Sequence, residues 1–173
     1  MNEEKIIHDL LENVESDYFF IVKEILEHEE FLRRKSYHHH ENRSVYTHSL
    51  LVSIKSYKLA RFLKLDKNRA AIGGLLHDFY YEDWQMNRVK KPFFKQHGFV
   101  HPKEALENSK KYFSNKIDKR TKNIIVRHMF PLTLIPPFYP ESWIVTIVDK
   151  YVSFEIFKDL KQIPKYIGIR KKD

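Results

Sequence analysis

The chain has 173 residues, a formal charge of +8 from 31 Lys+Arg against 23 Asp+Glu, 42% hydrophobic residues, 4 glycines, 7 prolines and no cysteine. That length and mix fit one globular domain, expected over residues 1–173. The glycines (Gly73, Gly74, Gly98 and Gly168) can spell neither GxGxxG nor GxxxxGK[ST], no GxSxG elbow occurs, and the lack of cysteine removes disulfides, thiol nucleophiles and thiolate metal sites.

Helical periodicity dominates the chain. Ile6, Ile7, Leu10, Leu11 and Val14 predict a first helix. Phe19, Phe20, Val22, Ile25, Leu26 and Phe31 predict a second, with Ser16 or Asp17 as its cap. Residues 36–44 read as a polar loop holding His38, His39 and His40. A third helix is predicted over 45–64. A fourth follows Asp66 and runs through Ala70, Leu75, Leu76 and Phe79. Residues 81–100 read as a mixed loop. His101-Pro102 opens a fifth helix, because proline suits the first helical position. Asp118 caps a sixth, which carries Ile124 and Ile125. The prolines at 131, 136, 137 and 140 break the next stretch, and a last helix runs from near Glu141 to about Leu160. No strand alternation is visible. The expectation is an all-α bundle of about seven helices.

Met1-Asn2-Glu3-Glu4-Lys5 lacks the apolar core of a signal peptide, and no apolar run approaches the roughly 18 residues of a spanning helix. A cytoplasmic chain without membrane contact is expected. The positive charge suits phosphorylated metabolites, nucleic acid or anionic lipid, and equally an ordinary lysine-rich surface. Nucleic acid is the weaker expectation, since no recognition motif or arginine stripe is present.

The chemistry lies in what interrupts the apolar faces. His48 shares a stripe with Val45, Leu51 and Val52. His77 and Asp78 follow Leu75-Leu76. His128 follows Ile124 and Ile125 at helical spacing. Asp149 lies between Val145 and Val152. One buried polar group is readily met by a hydrogen bond; unpaired, it costs on the order of 1–3 kcal/mol. Four on different helices suggest convergence, and a divalent metal would satisfy them together. Gly73 and Gly74 each cost up to about 1 kcal/mol in a helix, so they predict close approach of a neighbour such as the helix carrying His48.

A histidine, a His-Asp doublet and a distant aspartate on the final helix form a pattern that resembles the HD superfamily of metal-dependent phosphohydrolases. The matching residues are His48 in Thr47-His48-Ser49-Leu50, His77-Asp78, and Asp149 in Val148-Asp149-Lys150. The resemblance spans about 37–160. It implies His48, His77, Asp78 and Asp149 on one metal. The extra histidines His101 and His128 resemble those of two-metal subfamilies, such as that cleaving diadenosine tetraphosphate, and imply a second ion shared with Asp78. His97 competes with His101 for that position, and the His-Pro helix start favours His101.

The implied reaction is attack of metal-activated water on phosphorus. One or two divalent transition metals (Mn, Fe, Co, Ni or Zn) are expected, with Mg disfavoured by the histidine-rich donor set. Asp78, Glu82, Asp83 and Lys150 are the candidate catalytic residues. Arg43, Lys90, Lys91 and Arg127 are the candidate phosphate binders. Tyr80, Tyr81, Trp84 and Phe93 could stack a base, and segments 36–44, 82–101 and 130–140 should form the mouth. The expected substrate is a nucleotide or another small phosphorylated metabolite. The alternative is an HD-fold module that binds a nucleotide or nucleic acid with little turnover.

Overall fold

The computed structural model describes residues 3–12, 14–40, 43–81 and 97–157, and the side chains of all of these except 38–40, 43, 97–98 and 155–157. Eight α-helices occur among them: α1 (Glu3–Glu12), α2 (Ser16–Leu26), α3 (Glu29–Leu32), α4 (Val45–Phe62), α5 (Lys67–Leu76), α6 (His97–Phe113), α7 (Lys119–Arg127) and α8 (Pro140–Phe157). The all-α expectation holds, with some boundaries moved.

The predicted second helix divides in two. His28 is extended at ψ 131° and caps α3, its ring nitrogen accepting from the Glu30 amide at 3.1 Å. Neither Ser16 nor Asp17 caps α2; Glu15 precedes it, without a side-chain cap. The expected loop at 36–44 contains a small antiparallel pair, β1 (His38–His40) with β2 (Arg43–Ser44), too short to show alternation. The helix expected to open at His101 starts at His97, so Pro102 lies inside it. A proline here lacks the amide for its own bond four residues back and its ring crowds that carbonyl; one turn of helix precedes it.

The other starts follow their caps. Ser44 Oγ accepts from the Thr47 amide at 3.2 Å, and Asp66 from the Arg69 amide at 3.0 Å. Asp118 accepts from the amides of Arg120 and Thr121 at 3.0 and 2.9 Å. Each satisfies donors that the first helical turn leaves without partners.

Two apolar clusters flank the site. Tyr18, Val22, Leu50, Leu75, Phe79 and Phe113 belong to the larger, which joins α2, α4, α5 and α6. Val52, Ala70, Ile124, Val145 and Val148 belong to the smaller, which joins α4, α5, α7 and α8. The paired glycines of α5 allow this packing: a Cβ at Gly74 would lie 2.7 Å from Ser53 Cα on α4, and one at Gly73 would lie 2.6 Å from the Ile124 side chain on α7. No described helix is long and apolar enough to cross a membrane.

Candidate metal centre

The His-Asp doublet lies at the exit of α5 rather than within it. Leu76 is the last helical residue, His77 is the C-cap, and the chain turns through Asp78. His128 caps α7 in the same way. Each C-cap histidine then uses Nδ1 locally. His77 donates to the Gly74 carbonyl at 2.8 Å, and His128 donates to the Ile125 carbonyl at 2.8 Å. The backbone thereby fixes both tautomers and aims both Nε2 atoms inward, the usual support of a ligating imidazole.

These atoms meet His48 from α4, His101 from α6 and Asp149 from α8. All of these residues are buried. Asp78 divides its carboxylate between two histidine pairs. Its Oδ2 lies 3.8 Å from His48 Nε2 and 3.4 Å from His77 Nε2. Its Oδ1 lies 3.2 Å from His101 Nε2 and 3.4 Å from His128 Nε2. Asp149 Oδ1 lies 3.1 Å from His48 Nε2 and 3.6 Å from His77 Nε2. Two ligand groups result, His48–His77–Asp78 and Asp78–His101–His128, and Asp149 adjoins the first.

The electrostatics call for positive charge at the first group. Burial disfavours the His77 imidazolium, yet the carboxylates of Asp78 and Asp149 outweigh it and push His77 up to about 10. Burial also opposes ionisation of Asp149, but His48 and His77 hold its carboxyl well below the usual range. At the second group burial prevails and brings His128 down to about 4, which leaves it neutral near pH 7. His77 Nε2 is buried and reaches no hydrogen bond among the described residues. With Nδ1 committed to the Gly74 carbonyl, the extra proton that this raised pKa retains sits on Nε2 beside two carboxylates, the place a cationic ligand would take. Nitrogen and oxygen donors in this number suit divalent transition metals.

Other predicted residues divide sharply. Lys150 Nζ donates to Asp149 Oδ2 at 2.9 Å and to the His128 carbonyl at 2.8 Å. The Arg127 guanidinium lies 5.7 Å from the Phe138 ring centroid, on the loop that follows α7. Tyr80 is buried with its ring 5.8 Å from that of His101, and the Tyr81 hydroxyl bonds that of Tyr112 at 2.6 Å. Tyr80 therefore packs inward rather than offering a stacking face, while Tyr81 is half-buried. Glu82, Asp83, Trp84, Lys90, Lys91 and Phe93, and the side chains of Arg43, His97, His38, His39 and His40, lie outside the described residues.

Three supporting residues escaped the sequence reading. Asn108 donates to the Phe79 carbonyl at 2.9 Å, and Glu104 accepts from the Tyr81 amide at 2.8 Å. Together they pin the turn after Asp78 to α6. Their signal was spacing: Glu104 and Asn108 recur at i+3 and i+7 from His101. Arg34, fully buried, stacks 4.2 Å from the Phe79 ring centroid. Its place in the basic run Arg33-Arg34-Lys35 gave no signal.

A family model described as HD domain matches residues 45–153. Searches of the curated proteins and of the solved structures returned no significant match. The matched span begins at the first residue of α4 and ends within α8, so it contains all six residues of the cage; the chain belongs to the HD domain family.

Proposed function

We propose that this chain is a metal-dependent phosphohydrolase, a phosphomonoesterase or phosphodiesterase, acting on a nucleotide or another small phosphorylated metabolite. The observation that carries the reading is the division of Asp78, one carboxylate oxygen toward His48 and His77 and the other toward His101 and His128. His48, His77, Asp78 and Asp149 would hold one divalent ion, and Asp78, His101 and His128 a second. Bound there, such ions polarise a phosphoryl oxygen and lower the pKa of coordinated water toward neutrality.

The chain's own residues supply the rest. The carbonyls of Gly74 and Ile125 hold the Nδ1 protons of His77 and His128, which keeps both Nε2 atoms available. Lys150 orients Asp149 by donating to its Oδ2. All six side chains are buried, so charges among them interact strongly. Glu82 or Asp83 is proposed to protonate the leaving group. Arg43, Lys90, Lys91 and Arg127 are proposed to bind phosphate. The donor set favours Mn, Fe, Co, Ni or Zn over Mg.

Elemental analysis followed by hydrolysis assays across nucleotides and phosphate esters with Mn²⁺ tests the reading. Up to two ions per chain and turnover of at least one phosphate ester are expected. Metal binding and nucleotide binding without turnover would instead identify the binding module.

A further inference from the structure

Arg34 carries a charge into the interior and leaves most of it without hydrogen bonds. The side chain is fully buried. Its Nη1 donates to the Glu30 carbonyl and lies 3.9 Å from Glu30 Oε2. Its Nε and Nη2 reach no hydrogen bond among the described residues. For stability alone this is a poor choice, because an apolar side chain of similar volume would bury no unpaired donor. The guanidinium is met by rings instead. It lies 4.2 Å from the centroid of Phe79, 4.9 Å from that of Tyr81 and 5.3 Å from that of Tyr37, all within reach of cation–π attraction.

Those rings belong to two segments that lead into the metal centre. Phe79 and Tyr81 follow Asp78 directly along the chain. Tyr37 precedes the helix of His48: its carbonyl accepts from the amide of Val45, the first residue of α4, at 2.8 Å. Phe31 joins the same regions by apolar packing, its ring centroid 6.0 Å from that of Phe79 and 5.3 Å from that of Tyr46. The turn after Asp78 is also tied to α6, through Asn108 and Glu104. Because α6 carries His101, those bonds set Asp78 against the second ligand group. Arg34 instead joins the turn to the start of α4, and there Asp78 Oδ2 faces His48 Nε2 at 3.8 Å.

We propose that Arg34 is a positioning residue for the first ligand group: by stacking on Phe79, Tyr81 and Tyr37 it holds Asp78 in place relative to His48. This role rests on the metal binding proposed above and is independent of turnover.

Isothermal titration of the full chain with Mn²⁺ tests it without any substrate. The first group is read alone in a His101→Ala background and the second in a His48→Ala background. Arg34→Met keeps a long apolar stem and removes the charge. It should weaken Mn²⁺ binding at the first group by about 10–100-fold and leave the second group unchanged. The melting temperature of the metal-free chain should stay level or rise, because the unpaired donors are gone while Phe31 still packs. Unchanged affinity at the first group overturns the proposal. So does an equal loss at both groups, or a loss that comes with a lowered melting temperature, since either marks general support of the fold. Should Arg34→Met fail to fold, Tyr37→Leu decides, because this half-buried ring can be removed while its backbone carbonyl remains: the same selective loss is expected, and wild-type affinity at the first group overturns the proposal. A wild type that binds no Mn²⁺ at all overturns the metal centre itself, and this role with it.

Discussion

The Nε2 atoms of His101 and His128 face each other at 2.9 Å. Two imidazole nitrogens come this close when a proton lies between them. His128 has committed its Nδ1 proton to the Ile125 carbonyl, and burial keeps its ring neutral. Its Nε2 is thus a lone pair, and in the metal-free protein His101 must supply the proton. A metal ion bound at this group would replace that proton, with both Nε2 atoms as its ligands.

Substitution of either ring should therefore empty one half of the site alone. His101→Ala and His128→Ala are each expected to lower the metal stoichiometry from two toward one, measured by elemental analysis after dialysis against excess Mn²⁺. The remaining ion would be held by His48, His77, Asp78 and Asp149. A wild type that never exceeds one ion under these conditions would remove the two-metal reading.

Asp78 should be far less forgiving, because both halves use it. Asp78→Ala is expected to abolish turnover and to weaken binding of both ions, measured by isothermal titration with Mn²⁺. Asp78→Asn keeps the shape but removes the charge, and it should lose nearly as much. First-ion affinity at the wild-type level in both variants would show that Asp78 is no ligand.

The contact of Gly74 with Ser53 gives a prediction whose sign separates two effects. Helix propensity alone makes Gly74→Ala stabilising by about 1 kcal/mol. The added Cβ would lie 2.7 Å from Ser53 Cα and 3.0 Å from Ser53 N, backbone atoms that cannot step aside. Overpacking of this kind costs roughly 1–3 kcal/mol. The expected outcome is a lower melting temperature together with weaker metal binding, since the Gly74 carbonyl also holds His77. Calorimetry and metal titration check both, and a raised melting temperature would contradict the packing described.

The sequence carried most of this site because its signals are local exceptions in an apolar pattern. Histidine and aspartate among Leu, Ile and Val declare themselves without any knowledge of the fold, and the glycine pair declared the close helix contact. Helix ends were less legible. Leu75-Leu76-His77-Asp78-Phe79 continues an apolar period past the point where α5 stops, since Phe79 remains buried in the larger cluster after the chain has turned. Periodicity reports burial, and burial outlasts the helix. α8 was less legible for a related reason: apolar on both faces, it gives no periodic contrast between exposed Trp143 and Ile147 and buried Val145 and Val148.

Asp118 gives a stability change with a definite pH dependence. Burial opposes its ionisation, yet the bonds from the Thr121 amide and from Arg69 hold its carboxyl below the ordinary value. A lowered pKa in the folded state contributes stability that is present above the unfolded value, near about 4. That contribution is lost as the pH falls through the folded value. Asp118→Ala should cost about 0.5–2 kcal/mol at neutral pH through the lost cap, and the gap from wild type should narrow below about pH 4. Urea unfolding of both proteins at a series of pH values measures it, and a gap that widens on acidification would contradict the sign.

Lys150 ties the two halves of the cage together, because one ammonium bonds both Asp149 Oδ2 and the backbone carbonyl of His128. Lys150→Met keeps the stem and removes the charge. Asp149 then loses the donor that orients its second oxygen, and the C-terminal end of α7 loses its link to α8. Loss of a group that supports a metal ligand typically costs 10–100-fold in affinity or activity. The variant is expected to show that loss in kcat or in metal affinity, with a small change in melting temperature because the side chain is one-third exposed. Lys150→Arg should recover part of it, since the charge returns but the planar fork cannot reproduce both contacts. Steady-state kinetics at saturating Mn²⁺, alongside metal titration, distinguish the two routes. Wild-type values for both quantities in Lys150→Met would show that Asp149 holds its orientation without the lysine.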